Sequence, residues 1–256
     1  MEFDLSGRRV LVTGGGQGVG SGIAKGFAAA GAGVVVNDVR PERAEATVKE
    51  IRELGGSADV SVFDVTRYDA VTSAIEAVVD VDILVNNAGN AGSEDMAGRV
   101  NFVDSDPSDW DRYVRVNLYG VMHCARACLP AMIANAWGRV ITIVSDAGRT
   151  GDPGMAAYSA AKAGAAGLTR TLAIETGRWG VTVNNISLGT MRTPLTEALW
   201  AEPDDPRAKA TLKRYVVRRP GLPDDVAPLA VFLASPQASW ITGQTYPLNG
   251  GYSFGL

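Results

Sequence analysis

The sequence predicts an α/β protein: a single doubly wound parallel sheet of about seven strands with helices on both faces. Three observations carry that expectation. Short β-branched runs alternate with longer helical stretches from one end of the chain to the other. The strand runs are nearly continuously apolar, as strands covered on both faces must be. A glycine-rich turn follows the first strand and opens the first helix, which is where such sheets hold a ligand.

Each element has its own signal. "RRVLVTG" (8–14) reads as the first strand and 20–32 as an Ala- and Gly-rich helix. "GVVVNDV" (33–39) is the second strand. The helix after it, 41–56, starts on Pro41 and stops at Gly55-Gly56. "DVSVFDV" (59–65) is a third strand, 67–79 a third helix, and "VDILVNNAG" (81–89) a fourth strand. One long helix is expected over 107–134, a fifth strand in "GRVITIVSDAG" (138–148), then the helix carrying Tyr158. "GVTVNNIS" (180–187) is the sixth strand, 223–235 a helix and 243–251 the last strand. No linker or low-complexity segment interrupts the pattern, so residues 1–256 are read as one domain. Segments 90–106 and 189–220 resist assignment. Both follow strand ends, so both are expected to be substrate loops.

Composition narrows the function. With 46% hydrophobic and 20% charged residues, the 256-residue chain is an ordinary globular protein. A net charge of −4 supplies no basic face for nucleic acid. The start of the chain shows no charged-then-apolar leader, and no stretch approaches the ~20 apolar residues of a membrane helix. A cytoplasmic protein without a membrane partner is expected. His123 is the only histidine, which excludes hydrolases built on a Ser–His or Cys–His pair. Cys124 and Cys128 have only His123 nearby, too few ligands for a structural metal, and read as two buried thiols.

The chemistry begins in "TGGGQGVG" (13–20), where Gly14, Gly18 and Gly20 are spaced G-x-x-x-G-x-G. Glycines there let the backbone turn tightly and approach a pyrophosphate held on the following helix's N–H groups. No Lys-Ser/Thr pair follows, which argues against a P-loop. Asp38 ends the second strand eighteen residues past Gly20, placed to accept from adenosine ribose hydroxyls and repel a 2′-phosphate. Val39 and Gln17 supply no cation to offset it, although Arg40 is close. NAD is therefore expected over NADP. In "AAYSAAKAG" (156–164) all residues but Tyr158 and Lys162 are small, and these two lie one helical turn apart. The residues alone fit either a packing helix with a snorkelling lysine or a phenol–amine pair cleared for chemistry.

Together these pieces resemble the short-chain dehydrogenase/reductases across essentially the whole chain. The match comprises "TGGGQGVG", "FDV" (63–65), "NNAG" (86–89), Asn117 in "VRVNLYG", Ser145 in "ITIVSDAG", and "YSAAK", with thirteen residues from Ser145 to Tyr158. The resemblance implies a Rossmann-type fold in which Tyr158 is the general acid/base. A phenol with pKa near 10 needs about 4 kcal/mol of selective support to work near pH 7. Lys162 is implied to supply it and to hold the nicotinamide ribose. Ser145 is implied to bond the substrate oxygen, and Asn117 to hold a water chain. Gln17 and Val19 join the glycines at the pyrophosphate. Asp64 and Val65 fall to the adenine, Asn87, Ala88 and Gly89 to the ribose, and Gly189, Met191 and Thr193 to the nicotinamide carboxamide. The family's usual Pro-Gly is Leu188-Gly189 here.

The implied activity is NAD-dependent hydride transfer between nicotinamide and a secondary alcohol or ketone, on a hydroxyacyl thioester or a cyclic or steroid alcohol. The alternatives are a catalytically silent NAD-binding scaffold, or a dehydratase or epimerase, whose members are usually longer. Arg149, Arg192, Lys209, Lys213, Arg214, Arg218 and Arg219 either meet a phosphate-bearing carrier or form a solvated surface. The small and apolar helices 107–134 and after Tyr158, with the apolar "GGYSFGL" end, lead us to expect a homotetramer or at least a dimer.

Overall fold

The computed structural model describes residues 3–78, 80–89, 99–202 and 204–254. Segment 90–98 of the first expected substrate loop and the last two residues of "GGYSFGL" lie outside them.

Seven parallel strands form one sheet in the order β3-β2-β1-β4-β5-β6-β7. They are β1 (Arg9–Val12), β2 (Gly33–Asp38), β3 (Ser57–Val62), β4 (Ile83–Asn86), β5 (Gly138–Ser145), β6 (Val181–Leu188) and β7 (Thr245–Leu248). The order reverses between β1 and β4, so their carboxyl ends splay apart into the crevice where open sheets of this kind bind ligands.

Alternation along the strands divides the core. Val10, Val12, Val34, Val36, Ile83 and Ile141 face one side. They meet Ile23 and Phe27 of α1 (Gly18–Ala29), Val48 and Ile51 of α2 (Pro41–Glu53), and Val226 and Leu233 of α10 (Pro223–Ala234). Leu11, Val35, Leu84, Val140 and Val183 face the other. Against them pack Val71 of α3 (Tyr68–Val78), Cys124, Cys128 and Met132 of α5 (Gly120–Ala134), and Ala173 of α7 (Ala156–Thr176). A side chain as fully buried as Phe27 or Leu84 contributes roughly 1.5–3 kcal/mol. Small residues bring α1 against α10: a Cβ on Gly26 would stand 2.5 Å from that of Ala227. Both thiols are buried, and burial pushes Cys124 up to about 12.

Two expectations change in detail. The helix over 107–134 is divided: a 3₁₀ turn at Pro107–Asp109, α4 (Trp110–Val114), a π turn at Arg115–Tyr119, then α5. The Asn117 amide donates to Tyr113 O at 2.9 Å, occupying the carbonyl that its own backbone N–H would take in an α-helix. The unassigned 189–220 segment contains two short helices, α8 (Glu197–Trp200) and α9 (Pro206–Lys213), the second capped by Asp205 accepting from Arg207 N.

Candidate active site

Two adjoining clefts open along the carboxyl ends of the strands. The first, about 470 Å³, gathers Gly14, Gln17, Gly18, Val19, Gly20, Asp38, Asp64, Val65, Asn87, Ala88, Gly89 and Thr193. The second, about 550 Å³, is lined by Ser145, Tyr158, Lys162, Gly189 and Met191 and shares Gln17, Val19, Asn87, Gly89 and Thr193 with the first. Asn117 alone of the expected residues lines neither. It is fully buried, and a Cβ on Gly89 would stand 3.0 Å from its Oδ1 and 3.3 Å from Lys162 Nζ.

The glycine turn is held by bonds that the sequence reading did not foresee, some of them from residues it had assigned to the ribose. Thr13 Oγ1 accepts from the backbone N–H groups of Asn87 and Ala88, both at 3.1 Å. The Asn87 amide donates back to Thr13 O and Gly14 O at 3.0 and 2.9 Å. These bonds fix the tip of β1 to the tip of β4. Asn37 does the same toward β3, its side-chain amide donating to Phe63 O at 3.0 Å while its backbone carbonyl accepts from Gly15 N at 2.7 Å. A polar residue in an apolar strand, just before an acid, was the available signal for Asn37. Gly14 (φ +61°) and Gly18 (φ +54°) take left-handed backbone that few other residues adopt. A Cβ on Gly20 would lie 2.2 Å from Gly14 O. The turn is thus shaped for backbone approach, and its amides and the Asp38 carboxylate fit a dinucleotide.

Asp38 is buried and accepts from Arg40 N at 3.0 Å. Arg43 lines both clefts beside it. Among the described residues neither the Arg40 nor the Arg43 guanidinium has an ion-pair partner, so two cations flank the acid that was expected to set cofactor choice.

At the other end, Ser145 closes β5 and lines the same cleft as Tyr158. Lys162 is buried one turn below and donates to Ile143 O at 2.8 Å. The small residues of α7 serve close approach: a Cβ on Gly148 of α6 (Ala147–Thr150) would stand 3.0 Å from that of Lys162. The electrostatics differ from the expectation of a lysine-lowered phenol. Desolvation pushes Tyr158 up, only partly offset by the nearby Ser145 hydroxyl. Desolvation brings Lys162 down to about 8.

Leu188 in the usual proline position is buried, and its carbonyl accepts from Asp146 N at 3.0 Å. The following loop is pinned by buried Tyr215, whose hydroxyl accepts from Thr190 N at 2.7 Å and donates to Thr190 Oγ1 at 3.0 Å. Asp146 was also missed. Its carboxylate accepts from Ser187 Oγ at 2.8 Å, Asn249 Nδ2 at 2.5 Å and Arg149 Nη1 at 3.0 Å. Arg149 and Asn249 in turn reach Ser253, both at 3.0 Å, tying the chain end to the wall of the cleft.

Comparison with known proteins places this geometry. A family profile described as "Enoyl-(Acyl carrier protein) reductase" matches residues 14–253. A 3-oxoacyl-[acyl-carrier-protein] reductase of Thermotoga maritima is 36% identical over 251 residues, covering 96% of this chain and 98% of the relative. The 7alpha-hydroxysteroid dehydrogenase of Escherichia coli K12 is also 36% identical, covering 96% and 94%. Among solved structures, a gluconate 5-dehydrogenase from Burkholderia cenocepacia in complex with NADP and tartrate superposes with TM-score 0.90 at 36% identity, covering 100% of this chain and 98% of its own. A 3-oxoacyl-[acyl-carrier protein] reductase from Brucella melitensis with bound NAD gives 0.89 at 32%, covering 98% and 93%.

Proposed function

The chain belongs to the short-chain dehydrogenase/reductase family, and from that membership we infer an NAD-preferring oxidoreductase working on a secondary alcohol or its ketone. The observation that carries this reading is that Ser145 and Tyr158 line one cleft that adjoins the glycine turn, with Lys162 buried one helical turn from Tyr158. The nicotinamide, when bound, supplies the hydride acceptor or donor. The chain supplies the rest. The glycine turn, Asp38, Asp64, Val65 and the 87–89 strand end hold the dinucleotide, with Gly189, Met191 and Thr193 at its nicotinamide end. Ser145 orients the substrate oxygen. Tyr158, kept protonated by its surroundings, gives a proton to that oxygen in the reducing direction. Lys162, still cationic at neutral pH, stabilises the phenolate left behind, and Asn117 behind Gly89 completes the route by which the proton returns.

The raised phenol sets a direction with pH. Oxidation needs Tyr158 deprotonated and should climb through the alkaline range, whereas ketone reduction should not. The preference for NAD rests on the buried Asp38 carboxylate, with Arg40 and Arg43 favouring a second reading, NADP. The substrate class is a hydroxyacyl thioester or a cyclic or steroid alcohol, framed by the loops around 90–106 and 189–220. The whole chain acts as one catalytic domain. NADH formation with a panel of secondary alcohols tests the reading: tight NAD binding without turnover of any of them would favour a silent scaffold.

Assembly belongs to the same proposal. An apolar groove of about 730 Å³ runs between α5 and α7, lined by Met122, Leu129, Leu168, Leu172 and Ile174. We assign it to pairing between copies, within a tetramer. Light scattering at micromolar concentration should give about four times 26.8 kDa, and a monomeric mass would overturn the assignment.

A further inference from the structure

Seven cations in and around the substrate loops are left unused by the reaction above, and the structure sorts them. Arg149 turns inward to Asp146, Arg192 pairs with Glu197, Lys209 with Asp204, and Arg219 with Asp225. Of the seven, Arg214 is the one that lines the cleft with Ser145 and Tyr158. Its guanidinium lies over the Tyr252 ring, 4.5 Å from the centroid, and donates to the Tyr252 hydroxyl. Tyr252 is itself held in the wall by the chain-end contacts of Asn249 and Ser253 with Asp146 and Arg149. Arg214 is therefore docked on a built surface.

Its counter-charge is incomplete. Asp152 stands 4.0 Å from Arg214 Nη1, while Arg99, on the same cleft, takes the other Asp152 oxygen at 3.1 Å. Asp146, the remaining carboxylate on the wall, is committed to Arg149, Ser187 and Asn249. At this part of the wall two guanidiniums thus share one available carboxylate, leaving a local excess of one positive charge on the cleft that Ser145 and Tyr158 line. Arg214 is half exposed, so water and salt moderate the pull of such a charge on an anion without cancelling it.

We propose that the substrate carries an anionic group, a carboxylate or a phosphate, which Arg214 receives while Asp152 stays with Arg99. This deepens the oxidoreductase reading and rests on it for the position of the reacting carbon. The arrangement has a sign that a structural ion pair lacks. Removing Arg214 weakens anion binding, removing Arg99 also weakens it by releasing Asp152 to Arg214, and neutralising Asp152 strengthens it.

Two matched pairs test it with NAD: 3-hydroxybutanoate against its methyl ester, and 3-hydroxybutanoyl-coenzyme A against the phosphate-free 3-hydroxybutanoyl-N-acetylcysteamine. The expected result is a preference for the charged member of one pair by about tenfold in kcat/KM, the scale of a partly exposed charge-assisted contact. Arg214→Gln should bring that ratio toward one through KM, and Asp152→Asn should widen it. The pair that responds identifies carboxylate or phosphate as the source. Ratios near one in both pairs, or a ratio that survives Arg214→Gln, would overturn the inference. Where no alcohol is oxidised at all, the oxidoreductase reading fails, and calorimetry decides the inference separately. Malonate or inorganic phosphate titrated into the NADH-loaded protein should bind more weakly to Arg214→Gln and more tightly to Asp152→Asn, with affinity falling as salt rises. No binding to the unaltered protein, or equal binding to all three, would overturn it.

Discussion

The two ends of the cleft are built by different means. At the nucleotide end the parts are close in sequence or lie on adjacent strand tips: Gly14 to Gly20 in one turn, Asp38 closing the next strand, and Thr13 and Gly14 clamped to Asn87 and Ala88 by four hydrogen bonds. At the substrate end the parts are remote. Asp146 bonds Asn249 across 103 positions, Arg149 bonds Ser253 across 104, and Tyr215 holds Thr190 across 25. A backbone-lined turn recognises what all dinucleotides share. A wall of long-range polar contacts depends on the particular side chains that meet in it.

The largest effect comes from separating chemistry from both ends. Tyr158→Phe keeps the ring and removes the proton, so turnover should fall about 10²–10⁴-fold. NAD affinity by calorimetry should stay within a few-fold, because the nucleotide end is untouched. Near-normal turnover would remove Tyr158 from the acid/base role. Asp38→Ala acts on the nucleotide end alone. With Arg40 and Arg43 already lining the cleft, loss of the carboxylate should shift the NADP/NAD ratio of kcat/KM by on the order of tenfold toward NADP. Equal use of both cofactors by the unaltered protein would show that the arginines outweigh the acid.

Asp146→Asn probes the substrate end. One carboxylate accepts from three partners there, and an amide would set donor against donor at Arg149. A loss of about 2 kcal/mol follows from charged hydrogen bonds of this kind, or a Tm roughly 4–8 °C lower. The alcohol KM should rise while the NAD KM holds. A rise in both would mean that the two ends are not separable.

The same division explains what was legible in the sequence. All seven strands and their flanking helices were readable, because β-branched runs and 3.6-residue periodicity are local signals. Asp38 at a strand end was a local signal too, whereas Ser145, Tyr158 and Lys162 were assigned by the family resemblance; all four line the clefts. The Asp146 network was not readable, since nothing in "VSDAG" marks that aspartate as the partner of an asparagine 103 positions later. The helices inside 189–220 were hidden by short length and high charge, with little periodicity for a four- or eight-residue element to display. The π turn at Asn117 was hidden because an asparagine inside an apolar helical pattern reads the same whether or not its amide takes a carbonyl.

Lys162 sits on the seam between the two ends, and it yields the smallest and most counterintuitive effect. Burial lowers its pKa from 10.5 to about 8, so folding disfavours the charged form by roughly 3 kcal/mol. Below pH 8 both folded and unfolded chains carry the proton and the whole penalty is present. Between about 8 and 10.5 the folded chain sheds the proton and the unfolded chain keeps it, so this group makes stability rise with pH across that window. Lys162→Met removes the charge and keeps most of the bulk, at the cost of the bond to Ile143 O. The variant should be inactive yet more stable than the unaltered protein at pH 7, by on the order of 1–2 kcal/mol or roughly 3–6 °C in Tm. The gain should shrink as pH rises toward 10. Thermal melts at pH 7 and pH 10 check it: a destabilised variant at pH 7, or a gain that grows with pH, would show that the lysine is retained for packing rather than held against its own cost for the reaction.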